Sequence, residues 1–291
     1  WFVVPESMYD IKFAPANNAV TLVYEVNDGE KTVTSPIYNR GVGSIKKTGE
    51  GTLNLTANMP SSAALAVQEG TLKYSSVESE GFKGSITVAK GATLINTKLQ
   101  DLWRYSQTGI SLKIYGTFDL AYTRLNVNNN QSWDIYGGAT IKGFYQDGDT
   151  GNKSFDFADG NGLVINFHAD PTGESNTITW NAISRFREND VTFNVEDGVT
   201  VIVNADQFNY GGARTLTKIG PGILKFEDGG TIDNHVAVSG GLLDLTELTN
   251  GNAAMKQTLK VGSSGAIKVP ASMTKTIELV DPETTVLVAT S

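Results

Sequence analysis

The stretch from Leu216 to Leu245 reads LTKIGPGILKFEDGGTIDNHVAVSGGLLDL, and it contains one phrase twice. Each copy consists of a short strand of alternating apolar and polar residues, a glycine turn and a second alternating strand. Successive side chains of a strand point to opposite faces, so Ile223 and Leu224 face opposite ways and each strand has an apolar face that needs cover. One copy cannot supply that cover, whereas a stack of copies can. The stretch therefore predicts a repeat fold.

The phrase recurs along most of the chain. It is marked by turn glycines at positions 29, 51, 70, 91, 116, 138, 162, 198, 222, 241 and 265. Successive glycines are 22, 19, 21, 25, 22, 24, 36, 24, 19 and 24 residues apart. Self-similarity at a period of about 20 to 50 residues indicates a solenoid or an array. The pattern predicts an all-β solenoid of about ten to twelve coils, stacked about 4.8 Å apart.

Domain organisation follows from the extent of the repeat, which runs through nearly all of the 291 residues and predicts one elongated domain. Residues 1–15 are largely apolar and do not follow the repeat, so we expect them to cap the N-terminal end of a single β-helix over 16–291. Longer excursions are expected at 97–110 and 167–190. Residues 273–291 are interpreted as the last coil or as an open edge that pairs with another molecule.

Composition excludes several classes of function. The formal net charge is −8 and no basic run stands out, which argues against a nucleic-acid partner. No apolar run approaches the roughly 18 residues of a membrane-spanning helix. The chain has no cysteine, which excludes disulfides and thiolate sites, and only two histidines, so it has few residues suited to catalysis.

Positions relative to the turn glycines predict the core. Leucine or isoleucine two places after a glycine, and valine or isoleucine three places before one, are expected to form ladders inside the solenoid: Leu53, Leu72, Leu224, Leu243 and Ile267, with Val67, Val88, Ile219 and Val238. Polar residues near the turns are expected to be solvated, namely Lys46, Lys47, Glu50, Gln68 and Glu69.

Two pairs of phrases carry a family resemblance. KTGEGTLNL (47–55) is followed by VQEGTL (67–72), and KIGPGILKF (218–226) is followed by VSGGLL (238–243), with the second phrase starting 20 residues after the first in both cases. They resemble the autotransporter-associated β-strand repeat of bacterial surface and secreted proteins. The resemblance implies a right-handed parallel β-helix outside a Gram-negative-type cell, commonly part of a larger passenger. It implies a scaffold rather than an activity.

The leading functional hypothesis is an extracellular surface scaffold of the adhesin type, either a passenger fragment or a fibre subunit. Its expected partners are a glycan or protein on a host or bacterial surface, or another copy of the chain bound through the edge of the terminal coil. A rod made of repeated coils extends without the size limit of a globular core, which suits a stalk or display surface.

A glycan-binding module is one alternative, because 17 of the 26 aromatic residues lie in the 110 residues from Asp101 to Tyr210. Most of these aromatics are expected in the core; Trp133 and Phe193, for example, each lie five residues before a turn glycine. Four others flank loops and are the candidates for stacking on sugar rings: Trp103, Tyr105, Tyr145 and Tyr210.

A polysaccharide lyase or hydrolase is the other alternative. The excursion that contains His168 also contains carboxylates and arginines suited to acid–base attack on a polysaccharide, namely Asp170, Glu174, Arg185 and Arg187. A structural reading competes with it, in which Ile178 and Trp180 supply one more coil and the charges form its solvated rim.

The loop QDGDTGN (146–152) is a calcium candidate, with Asp147, Asp149 and Asn152 as oxygen ligands. A plain turn is the favoured interpretation of this generic spacing, and no other cofactor is predicted.

Overall fold

The structure is a computed structural model. It describes residues 2–3, 20–34, 42–56, 63–75, 84–97, 110–121, 125–128, 131–143, 155–159, 162–182, 184–186, 190–203, 214–227, 232–248, 257–280 and 285–288.

The described strands form three sheets. In spatial order, sheet A contains β1 (Phe2–Val3), β2 (Val20–Glu25), β4 (Val42–Thr48), β6 (Ala64–Val67), β8 (Ile86–Val88), β10 (Ile110–Ile114), β13 (Gln131–Tyr136), β16 (Leu163–His168), β19 (Val191–Val195), β21 (Thr215–Ile219), β23 (His235–Val238), β25 (Leu259–Val261) and β27 (Ile277–Leu279). Sheet B contains β3 (Glu30–Val33), β5 (Thr52–Leu55), β7 (Thr71–Tyr74), β9 (Thr93–Asn96), β11 (Thr117–Asp119), β14 (Thr140–Gly143), β17 (Thr177–Ala182), β20 (Thr200–Val203), β22 (Ile223–Phe226), β24 (Gly241–Asp244), β26 (Gly265–Val269) and β28 (Thr285–Val288). Sheet C contains β12 (Leu125–Asn128), β15 (Phe155–Asp159) and β18 (Ser184–Phe186).

Every strand pairs in parallel with the equivalent strand of the next coil. Within the described residues, sheet A has 13 strands and sheet B has 12, and no helix is present. Because each strand meets its counterpart about one repeat later, residues at the same place in successive coils form continuous rows along the axis. The prediction of an all-β solenoid of parallel strands is confirmed.

The alternation of apolar and polar residues sets the two surfaces of each sheet. In sheet B, Leu53 pairs with Leu72 and Leu72 with Leu94, and all three are fully buried. The neighbours on the other face, such as Thr52 and Thr71, are half-buried. Eight of the nine predicted ladder residues are buried, as expected, and the exception is Ile219.

Sheet C explains the concentration of aromatic residues. It adds a third wall to the middle coils, and the space between the walls is filled by buried rings, among them Trp133, Phe155, Trp180 and Phe193. The ring of Phe155 lies 5.6 Å from that of Trp133 and 5.0 Å from that of Trp180, measured between centroids. Such tilted and edge-to-face contacts are the favoured ring geometries. Of the ten aromatics of residues 101–210 that lie within the described residues, eight are buried in the core, as expected.

Lys47 corrects the sequence analysis, which expected it to be solvated. It is fully buried in the row that contains Val67, because β4 pairs with β6 in that register. Its Nζ donates hydrogen bonds to the carbonyl oxygens of Thr48, Gly49 and Glu69, at 2.9, 2.5 and 3.2 Å. Glu50, Gln68 and Glu69 are exposed and Lys46 is half-buried, in line with the expectation for these four.

Lys218 has the same arrangement, and it explains why the prediction that Ile219 lies in the core was wrong. The inward position of β21 belongs to Lys218, which is fully buried, and Ile219 is half-buried on the outer side. The Lys218 ammonium donates to the carbonyls of Ile219, Gly220 and Gly240, at 2.9, 2.7 and 2.9 Å. In both phrases the acceptors are the next two residues and the residue 22 places ahead. Each lysine thus joins two consecutive coils at a corner.

The two glycines of each phrase are required for different structural reasons. Gly220 has a φ of +76°, a left-handed conformation that favours glycine, and a Cβ there would lie 2.3 Å from the Val195 carbonyl oxygen. Gly222 needs no positive φ, but its Cβ would lie 2.1 Å from the carbonyl oxygen of Glu196. The turns are therefore limited to glycine both by conformation and by the close approach of the preceding coil.

The ends and excursions are only partly described. The predicted N-terminal cap contains β1, which pairs with β2, and the rest of residues 1–15 lies outside the described residues. Most of the predicted excursion at 97–110 also lies outside them. The span 167–190 holds a corner loop (169–176) followed by β17, in which Ile178 and Trp180 are buried as another coil would require.

Candidate binding face on sheet A

Only some of the predicted site residues lie within the part of the chain that the structure describes. Outside the described residues lie the four aromatics proposed for glycan binding (Trp103, Tyr105, Tyr145 and Tyr210), the calcium candidates (Asp147, Asp149 and Asn152), and Arg187. Arg185 lies on β18 of sheet C, where only its backbone is described. Asp170 and Glu174 lie together on the corner loop.

The Asp170 carboxylate holds the corner loop together through hydrogen bonds. Its side chain is 2% exposed and accepts hydrogen bonds from the backbone N–H and the hydroxyl of Thr172 and from the N–H of Ser175. Lys90, 80 residues earlier, donates to Asp170 Oδ2 at 2.6 Å and to Glu174 Oε2 at 2.8 Å. The loop therefore folds back over the corners of earlier coils, and a Cβ on Gly137 would lie 2.0 Å from the Ser175 carbonyl oxygen.

These contacts hold Asp170 in its ionised form. The hydrogen bond from Lys90 and those from Thr172 lower the pKa of Asp170 well below its usual range, and the same pair raises the pKa of Lys90. A general acid needs a pKa near the working pH so that it carries a proton to give. The environment of Asp170 has the opposite effect, and its oxygens are already engaged by the loop.

A second cluster lies on the outer surface of sheet A, over β10, β13, β16 and β19. It consists of two adjacent rows that follow the strand register. We call it the His168 face, and its members are Lys113, Asp134, Asn166 and Asn194 in one row and Tyr115, Tyr136, His168 and Glu196 in the other. All of them except Lys113 and Glu196, which are exposed, are half-buried.

His168 connects the two rows. One ring nitrogen, Nε2, lies 3.0 Å from Asp134 Oδ1, and the other, Nδ1, lies 2.7 Å from Glu196 Oε1. Asn194 donates to Asn166 at 3.1 Å, and Asn166 donates to Asp134 at 3.4 Å. The result is a chain of hydrogen bonds along the face.

The pair of carboxylates favours the imidazolium form of His168, in which both ring nitrogens donate. Burial of the ring lowers its pKa, but hydrogen bonds to Asp134 and Glu196, together with their charges, outweigh burial and raise the pKa of His168 above its ordinary value. The hydrogen bond from His168 correspondingly lowers the pKa of Glu196. Glu196 also accepts from the backbone N–H of Ala169, at 3.0 Å, so the face is attached to the start of the corner loop.

Stacked rings complete the face. Tyr115 and Tyr136 lie parallel with centroids 4.0 Å apart, and Tyr136 stacks on the His168 ring at 4.9 Å. Burial, followed by the neighbouring Tyr115 hydroxyl, raises the pKa of Tyr136, which keeps the phenol protonated. The face thus presents phenols, amides, two carboxylates and two cations on a preformed surface, an arrangement suited to hydrogen bonding with a ligand.

Of the eight residues of the His168 face, only His168 was singled out from the sequence. A signal was present: Asp134 and Asn194 each lie four residues before a turn glycine, and Tyr136 and Glu196 each lie two residues before one. Aligning the coils on their glycines would have superposed these residues. Asn166 and His168 could not be aligned in this way, because the corner loop follows them where other coils have a glycine turn.

Metal-binding groups and membrane helices are not found in the described part of the chain. No cluster of three or more histidine, aspartate or glutamate side chains there is placed to hold a metal ion. No helix there has the length and apolar character to cross a membrane. Comparisons of the chain with family models, curated proteins and solved structures give no match.

Proposed function

We propose that this chain is an extracellular scaffold of the adhesin type, a passenger fragment or fibre subunit on the surface of a bacterium. The observation that carries the proposal is the continuous stacking of parallel strands, 13 in sheet A and 12 in sheet B within the described residues. This stacking makes a rod whose outer faces present rows of side chains at a fixed spacing of about 4.8 Å. A right-handed superhelix of about ten to twelve coils is part of the proposal.

The resemblance to the autotransporter-associated repeat supports the location outside the cell. Its two copies contain Lys47 and Lys218, and both lysines bind three carbonyls at the same sequence offsets. Equivalent phrases thus build equivalent corners, as true repeats would.

Two kinds of partner fit the rod. The His168 face is suited to a ligand on another surface, because it combines polar and aromatic groups on the outer side of sheet A. The other partner is a second copy bound at the edge strand β27, where Leu279 and Val280 are 51% and 64% exposed. A polysaccharide-degrading activity is less favoured, because the carboxylate of Asp170 is ion-paired with Lys90 inside the corner loop.

Attachment of chain-coated particles to cells tests the proposal. Particles coated with the purified chain should adhere to intact bacterial or host cells, and soluble chain should compete with them. Adhesion no greater than that of particles coated with an unrelated acidic protein would overturn it.

A further inference from the structure

We propose that the His168 face binds an uncharged polysaccharide that lies along the axis of the solenoid. This inference rests on the proposed surface function and assigns a ligand class to it.

The geometry of the face favours a polymer. Its two rows cross four adjacent strands at about 4.8 Å per step, so each row is roughly 14 Å long. Each row presents a hydrogen-bonding side chain at every step along one line. An extended chain of sugars presents hydroxyl groups along a line in the same way, whereas a compact ligand would use only part of the surface.

The chemistry of the rows matches hydroxyl groups. Asn166 and Asn194 offer amide donors and acceptors, and the phenols of Tyr115 and Tyr136 can both donate and accept. A sugar hydroxyl has the same dual capacity. The hydrogen bonds that link Asn194, Asn166 and Asp134 also fix these side chains before a ligand arrives, which reduces the entropy lost on binding.

The charges of the face favour an uncharged ligand. Asp134 and Glu196 flank His168, and Lys113 lies beside Asp134 in the same row, so the charges balance while His168 is protonated. A polyanion would meet both carboxylates and the net charge of −8 of the whole chain. A polycation would have to compete with His168 for its two partners.

An aromatic surface lies at one end of the row. Tyr136 covers one side of the Tyr115 ring. On the other side, the equivalent position of the preceding coil belongs to Ala89, which follows Val88 as Tyr115 follows Ile114 in the paired strands. Alanine is much smaller than the ring, which leaves room for the apolar face of a sugar.

Solution binding to three polymers tests the assignment: laminarin and dextran, which are uncharged, and heparin, which is a polyanion. Affinity electrophoresis of the wild-type chain should show retardation by at least one uncharged polymer and none by heparin. The double variant Asn166→Ala with Asn194→Ala should bind roughly tenfold or more weakly, since it loses the hydrogen bonds that two side chains make to the ligand.

The matched control carries two asparagine substitutions on sheet B, Asn54→Ala with Asn181→Ala, and both residues are half-buried like those of the face. It should bind as the wild type does. Unchanged far-UV circular dichroism establishes that both variants are folded. Equal losses in both variants, binding to heparin alone, or no binding to either uncharged polymer would overturn the assignment.

Failure of this site and failure of the proposed function are distinguishable. If coated particles attach to cells but neither uncharged polymer binds, the ligand assignment fails and the scaffold function stands. If an uncharged polymer binds at the face but coated particles attach to no cell surface, the attachment function fails and the site stands.

Discussion

Replacing Lys218 with methionine tests whether a buried ammonium joins two coils. Methionine keeps an unbranched side chain but donates no hydrogen bond, so three carbonyls lose their shared donor. A buried polar group left without a partner costs about 1–3 kcal/mol, or roughly 3–9 kcal/mol for three. Burial lowers the pKa of Lys218 from 10.5 to about 8. At about 1.36 kcal/mol per pKa unit, removing the buried ammonium recovers roughly 3 kcal/mol of desolvation cost.

The expected net result is a loss of about 3 kcal/mol in the free energy of unfolding, the difference between the middle of the first range and the recovered cost. Urea unfolding followed by far-UV circular dichroism measures it, and hydrogen exchange of β21 and β23 locates it. Lys268→Met is the matched control, because the Lys268 side chain is 44% exposed and its contact with Asp244 is long, at 3.8 Å. That change should stay within about 0.5 kcal/mol.

A Lys218→Met variant that is as stable as the wild type, or more stable, would show that this ammonium does not stabilise the junction of the two coils. Buried ion pairs are often replaced by apolar residues at no cost, because both partners leave together. Here the partners are backbone carbonyls, which no side-chain substitution removes. Equal stability would show that the carbonyls of this corner do not need the lysine.

Three further predictions concern the face, the loop and the turns. The raised pKa of His168 stabilises the fold at pH values below about 6.5, the ordinary pKa of histidine, and this contribution is lost as pH rises through the raised pKa. The difference in melting temperature between the wild type and His168→Asn should therefore shrink from pH 5 to pH 9. A difference that grows over this range would contradict the ion pairs of His168. Asp170→Asn should speed hydrogen exchange in the corner loop while leaving β16 and β17 protected, and uniform acceleration would point to a global role instead. Gly220 and Gly91 share a φ of +76°, but of the two only Gly220 has a carbonyl oxygen where a Cβ would lie. Alanine should lower the free energy of unfolding, measured in urea, by about 1 kcal/mol at Gly91 and by roughly 2 kcal/mol or more at Gly220. Equal losses at the two positions would rule out the clash.

The sequence predicted the solenoid because its signals are local and repeated. Alternation in a strand such as β5 assigns Leu53 to the inside without any knowledge of its partners, and the turn glycine behind it sets the period. The assignment failed at Lys47 and Lys218, since a lysine near a turn normally indicates solvent. Only the stacking of the next coil brings a third carbonyl to each ammonium.

The binding face could be predicted much less well. Its members come from four coils whose lengths differ, so that Asn166 bonds to a residue 32 places earlier and to one 28 places later. No single segment contains the pattern. Two of the predicted catalytic residues show the reverse problem, because Asp170 and Glu174 are close in sequence but both form ion pairs with Lys90, a distant residue.

The register of the coils assembles the His168 face from four adjacent strands. This assembly is tested most directly by chemical cross-linking of paired cysteines with a short thiol-reactive reagent, since the natural chain has none. Asn166→Cys with Asn194→Cys should cross-link rapidly, because the two residues are partners on adjacent strands. Asn166→Cys with Asn181→Cys should not cross-link, although these residues are closer in sequence, because residue 181 lies on sheet B. Cross-linking that follows sequence distance instead of register would contradict this assembly of the face.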